Sequence, residues 1–126
     1  MFSHIFVGSN DPAAARSFYN AVMAGLGHAA GTEIKDGAAT YYTDGSAAFI
    51  VGTPANGEPA TWANGGTIGL KASGPEVVDA AYKAGIANGG TCDGEPGPRA
   101  AFPGSYGAYL RDPDGNKICL WHVAAA

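Results

Sequence analysis

Apolar and polar residues alternate in two short runs near the end of the chain. These are Ala108-Tyr109-Leu110 and Ile118-Cys119-Leu120-Trp121, with Asp112-Pro113-Asp114-Gly115-Asn116 between them. Alternation with a period of two marks a strand with one buried face. Pro113 presets the entry to a reversal, and Asp-Gly and Asn accept the positive φ of a tight turn. Residues 107–122 therefore predict a β-hairpin. Cys119 and Trp121 fall on one face, Ile118 and Leu120 on the other.

The same reading covers the rest. Residues 2–8 alternate and predict a strand with His4, Phe6 and Gly8 on one face. Asp11 is a good N-cap and Pro12 fits the first helical position. Ala15, Phe18, Tyr19, Val22 and Met23 then form an apolar stripe at helical spacing, stopped by Gly25 and Gly27. Short strands are expected near 29–34, 39–43 and 47–52, with Asp36-Gly37 and Asp44-Gly45 as the turns between them. Residues 53–66, rich in Pro, Gly and Asn, read as a linker. A strand over 67–72, a helix over 76–88 closed by Gly89-Gly90, a short strand near Thr91, a loop over 93–102 and the final hairpin complete the chain.

Both halves thus read β-α-β-β-β, which makes this α+β: one domain over 1–126, built of tandem modules spanning 1–57 and 64–126 with curled mixed sheets around one cavity. Pro12 and Pro75 stand 63 positions apart, half of 126. His4 and Thr67 each precede their proline by eight residues, while Phe49 and Cys119 each follow a turn glycine by four. Those four positions are expected to face inward around a pseudo-twofold axis, since one unit cannot bury its sheet face alone.

Charge narrows the function. The net charge of −4 and the absence of a Lys/Arg cluster argue against nucleic acid. No apolar run approaches the roughly 20 residues needed to span a bilayer, and Met1-Phe2-Ser3-His4 does not resemble a signal peptide. With only two cysteines, reduced thiols and a cytoplasmic location are expected.

The motifs HIFV, NDP before a helix, NGGT before a strand, ANGGT after the second helix, and RDPDGNKI together resemble the vicinal oxygen chelate superfamily. This is the group of glyoxalases, bleomycin-resistance proteins and extradiol dioxygenases. The resemblance covers essentially the whole chain. It implies paired βαβββ modules around a cavity, often in a homodimer, and in many members a divalent metal that stabilises an enolate or oxyanion. Four residues would hold that ion, one from each matched position: His or Gln, Glu, His or Gln, and Glu. Only His4 matches; Phe49, Thr67 and Cys119 occupy the other three places. The expectation is a degenerate site, with no cofactor or a weakly bound divalent ion held by His4 and Cys119.

Other roles follow from residue type. Cys119 could be a nucleophile activated by His4, or simply a small buried apolar residue. Phe6, Phe49, Tyr106 and Trp121 could line a pocket for a flat organic ligand, or pack as core. Arg99, in the loop EPGPR, could reach an acidic group, whereas Arg111 reads as a turn-stabilising charge. His28 and His122 carry no assigned role, and Gly94, Gly97 and Gly104 precede no helix that would make them a phosphate cradle. The sequence thus points to a glyoxalase- or dioxygenase-like protein that acts on or binds a small organic molecule through His4, Phe6, Phe49, Thr67, Arg99, Tyr106, Cys119 and Trp121. A metal-free binder of the bleomycin-resistance kind is the alternative.

Overall fold

Asp11 caps the first helix by accepting the Ala14 N–H at 3.1 Å, and Gly27, at φ 92°, ends it in the left-handed region. Between them the apolar stripe turns inward, and Ala15, Phe18, Tyr19, Val22 and Met23 are all buried. The computed structural model, which describes residues 1–124, places this helix, α1 (Pro12–Leu26), after β1 (His4–Gly8). β2 (Thr32–Ile34), β3 (Ala39–Thr43) and β4 (Ala48–Gly52) follow. The second half repeats the order with β5 (Ile68–Lys71), α2 (Pro75–Ala87), β6 (Thr91–Pro98), β7 (Ser105–Arg111) and β8 (Lys117–Val123).

The strands form two separate four-stranded sheets, ordered β1-β4-β3-β2 and β5-β8-β7-β6. In each, the first strand runs parallel to the last and the remaining pairs are antiparallel. The fold is α+β with two βαβββ modules, as the alternation predicted, and the sheets do not close into a barrel. No helix of the described residues is long and apolar enough to cross a membrane.

Each sheet covers one face with its own helix, and the helices pack on each other. Gly25 does not stop α1; it is the close-approach point of that crossing. A Cβ there would lie 2.7 Å from the Ala81 Cα. The shared core holds Phe18, Tyr19, Phe49, Val51, Leu110, Ile118 and Leu120, and full burial of such side chains contributes about 1.5–3 kcal/mol each.

The Asp112–Asn116 turn is the second junction. Asp112 accepts from the Tyr19 hydroxyl, the Asn116 side chain and the N–H groups of Asp114 and Asn116. Asn116 in turn donates to the Gly8 carbonyl at 3.0 Å, and the Asn10 N–H donates to Asp114 at 2.8 Å. The linker is pinned as well. Asn10 both accepts from the Ala60 N–H at 2.7 Å and donates to its carbonyl at 3.2 Å.

One expected loop is a strand. β6 extends through 93–98, paired to β7 with register shifts at Gly94 and Gly97. Pro96 and Pro98 are tolerated because β6 is an edge strand, whose outward N–H positions need no partner.

Candidate functional site

Strand register decides which face each candidate occupies. In the first sheet Ile5 pairs with Phe49 and Val7 with Val51. Phe49 and Val51 are core residues against α1, so this is the helix side. His4, Phe6 and Ile50 lie on the opposite, outer side. In the second sheet Ile118 and Leu120 face α2, so Cys119 and Trp121 face outward.

The expected inward quartet is therefore split. Phe49 is 6% exposed and points into the core, away from the face of His4. The count from the turn glycine misled by one residue. Gly8 and Lys71 both lie four before their helix-starting proline, and they pair with Gly52 and Trp121. Two residues back along each last strand are Ile50 and Cys119, so Ile50 is the true counterpart of Cys119. Two residues separate the turn glycine from its returning strand in the first hairpin and one does in the second, and one residue flips every side chain to the other face.

Tyr106 is also on the helix side, where its hydroxyl donates to Asp79 of α2 at 2.7 Å. Thr67 lies exposed just ahead of β5. His4 is exposed with its ring 2.7 Å from the Ser3 hydroxyl, while Cys119 belongs to the other sheet. Among the described residues His4 bonds to Ser3 and no hydrogen bond links it to Cys119.

The ion implied by the resemblance can be tested on these side chains. The corrected set, His4, Ile50, Thr67 and Cys119, offers an imidazole, a hydroxyl and a thiol but no carboxylate. Among the described residues no group of three or more His, Cys, Asp or Glu could hold a metal. The residues present do not fit a divalent ion of that kind.

What the second sheet does assemble on its outer face is a basin-like cluster of aromatic and cationic side chains. At its centre are Gly69 and, buried beside it, Cys119, register neighbours on β5 and β8. A Cβ built at Gly69 meets nothing within 4 Å, so the floor is open there. On one side stands Tyr109, opposite Cys119 across the hairpin, with the Arg99 guanidinium 5.4 Å and the Lys117 ammonium 4.9 Å from its ring centre. The Trp121 indole lies against Gly107, on the same strand as Tyr109, where a Cβ would meet its ring at 2.7 Å. Phe102 stands perpendicular to that indole, with ring centres 5.6 Å apart.

Arg99 is held in place by the carbonyls of Glu95 and Gly97, at 2.8 and 2.9 Å. Arg111 donates to Asp93 and to the Gly115 carbonyl, which is the turn-bracing role expected of it. Burial pushes the Cys119 thiol above its ordinary value, against the opposing pulls of Tyr109, Arg99 and Lys117. It is therefore kept as a neutral thiol near pH 7. Burial, then the neighbouring thiol, likewise raises the Tyr109 phenol.

A second hollow, about 460 Å³, lies between the modules, lined by Ile5, Phe49, Met23, Ile68 and Leu70 among others. His28 borders it, and Gly69 and Lys71 touch it too, so cleft and basin meet across the edge strand β5. His122 instead contacts the Ala72 carbonyl at 3.1 Å. On the outer face of the first sheet, Phe6 lies under the Lys35 ammonium, 5.5 Å from the ring centre.

Sequence reasoning missed Tyr109, Lys117 and Gly69. The signal was present: a hairpin with five turn residues pairs 111 with 117, and therefore 109 with 119.

Comparison with known proteins gives a uniform answer. Residues 1–120 match the family model described as Glyoxalase/Bleomycin resistance protein/Dioxygenase superfamily. A crystal structure of a glyoxalase/bleomycin resistance protein from Albidiferax ferrireducens is 47% identical, with a TM-score of 0.92, covering 98% of this chain and 99% of that one. Lactoylglutathione lyase from Agrobacterium tumefaciens shares the fold at 22% identity and a TM-score of 0.67, over 96% of this chain and 92% of its own. A glyoxalase-related enzyme from Fulvimarina pelagi does so at 18% and 0.75, over 96% and 86%. No functionally curated protein matches the sequence.

Proposed function

Because the chain belongs to the glyoxalase/bleomycin resistance protein/dioxygenase superfamily, we propose that it binds a small organic molecule in the outer basin of its second sheet, and does so without a resident metal. The observation that carries this reading is the open floor at Gly69, on the same face as the aromatic side chains Tyr109 and Trp121. Ligand sites are concave and mostly apolar, with a few fixed polar groups. The basin has those aromatic and fixed polar groups, and the donor set His4, Ile50, Thr67 and Cys119 lacks the carboxylates a lyase- or dioxygenase-type ion would need. Capture of the ligand, rather than turnover on a metal, is the activity this arrangement favours.

The protein works as a homodimer in this reading. Phe2, Phe6, Tyr41 and Phe102 are exposed, and β1 and β5 leave free edges, a liability that a second copy covers. Two free thiols, Cys92 and Cys119, suit a reducing compartment such as the cytoplasm.

Thermal melts of chelator-treated protein test the central claim. A planar organic ligand should raise the midpoint in chelator, and one equivalent of Zn²⁺, Ni²⁺ or Mn²⁺ should add almost nothing. A tightly bound ion at a thousandfold excess over its dissociation constant would add about 4 kcal/mol. A metal shift of that size, or ligand binding only with metal present, overturns the reading. Light scattering on the same sample should give twice the chain mass.

A further inference from the structure

Resting on that reading, we propose that the basin selects a planar organic anion, with its flat body over Gly69 and its carboxylate toward Arg99 and Lys117. The charge distribution carries this. The chain has a net charge of −4 and seven Lys and Arg residues. Four of the seven, Lys71, Arg99, Arg111 and Lys117, surround this one face, placed there by register or by ring contact. Asp93 is the one carboxylate ion-paired to them among the described residues, and it meets both Arg111 and Lys117.

Arg99 is the selective element. Its guanidinium is oriented by backbone carbonyls, so it is fixed without losing its charge to an acid. A planar fork held in this way is suited to a carboxylate, and its ordering has already been met by the fold. Tyr109 lies beneath both cations, on the same face as the Trp121 indole. The two aromatic rings favour a flat ligand, and the partly buried surroundings strengthen the attraction to an anion.

The test is calorimetric titration of the intact protein with 2-naphthoate and with its neutral counterpart, 2-naphthamide, at low ionic strength. Naphthoate should bind about tenfold more tightly or better, the difference expected of one charge-assisted contact. Arg99→Gln should bring naphthoate down to the amide's affinity, and Gly69→Leu, which fills the open floor, should abolish binding of both. Equal affinity for the two probes, with both lost in Gly69→Leu, overturns the anion preference and leaves the binding site standing. Binding unaffected by Gly69→Leu, or no binding of either probe, overturns the anion preference and the site together. Amide chemical-shift changes at 69, 107 and 119 during the titration locate the ligand without any variant, in case Gly69→Leu does not fold.

Discussion

The turns of the two module-closing hairpins carry the same Asp-Gly pair and sit in opposite surroundings. Asp44 is exposed at the tip of the first, where it caps its own turn by accepting from the Ser46 N–H, the Ser46 hydroxyl and the Ala47 N–H. Those donors hold its carboxyl down at about 2. Asp112 is 3% exposed and caps its turn in a similar way, yet burial outweighs its donors and raises its carboxyl. One turn is local; the other joins the halves of the molecule. Hydrogen bonding and desolvation act on both, and depth decides which prevails.

The hairpins also differ by one residue, and the largest expected effects test that difference. If Phe49 faces the core and Ile50 the outer surface, Phe49→Ala should cost about 3–5 kcal/mol of unfolding free energy, in the range for deleting a buried ring. Ile50→Ala, on a half-buried site, should cost less than half as much. Chemical denaturation of the two variants reads the contrast directly, and equal losses would mean the face assignment is wrong.

Next comes the contrast between the aspartates. Asp112→Ala leaves the buried Tyr19 hydroxyl, the Asn116 amide and two turn N–H groups without their acceptor. A loss of about 3 kcal/mol is expected. Asp44→Ala should move the denaturation midpoint by a small fraction of that, because water replaces the lost acceptor.

The smallest effect is the pH dependence, and its sign differs between the two. The lowered carboxyl of Asp44 contributes stability that is present above its unfolded value and lost as pH falls toward 2. The raised carboxyl of Asp112 behaves in the reverse sense. Its contribution is full below the unfolded value and declines as pH rises through the folded one. Acidifying from neutral should therefore narrow the stability gap between the parent and Asp44→Ala, and widen that between the parent and Asp112→Asn. Parallel changes would contradict the assigned environments.

These contrasts also show where sequence suffices. The last hairpin was legible because its strands alternate cleanly and its turn residues leave one register. Residues 48–51, Ala-Phe-Ile-Val, are apolar at every position, so periodicity names no buried face, and only the parallel pairing with β1 settles it. β6 was hidden because Gly94, Pro96, Gly97 and Pro98 are turn residues by composition, while β7 pairs with them regardless. The basin's cations were hidden for another reason. Arg99, Lys71 and Lys117 come from three distant stretches, and nothing local signals that they share a face. The family resemblance gave the fold at once. It also led toward a metal site whose ligands this chain does not have.

The clasp between Asp112–Asn116 and the first module bears on how the chain reaches its folded state. Its bonds join residues 93, 104 and 108 positions apart. Contacts of such long sequence separation form only after a large loop-closure entropy has been met, which slows folding relative to local elements. During synthesis from the N-terminus, β1 and α1 emerge long before their partners in the last turn do. The Tyr19 hydroxyl then has no native partner until residue 112 has left the ribosome, so the first module must wait, incompletely packed, for the last hairpin. That interval, rather than the finished protein, is when the chain is most open to aggregation and most in need of a chaperone.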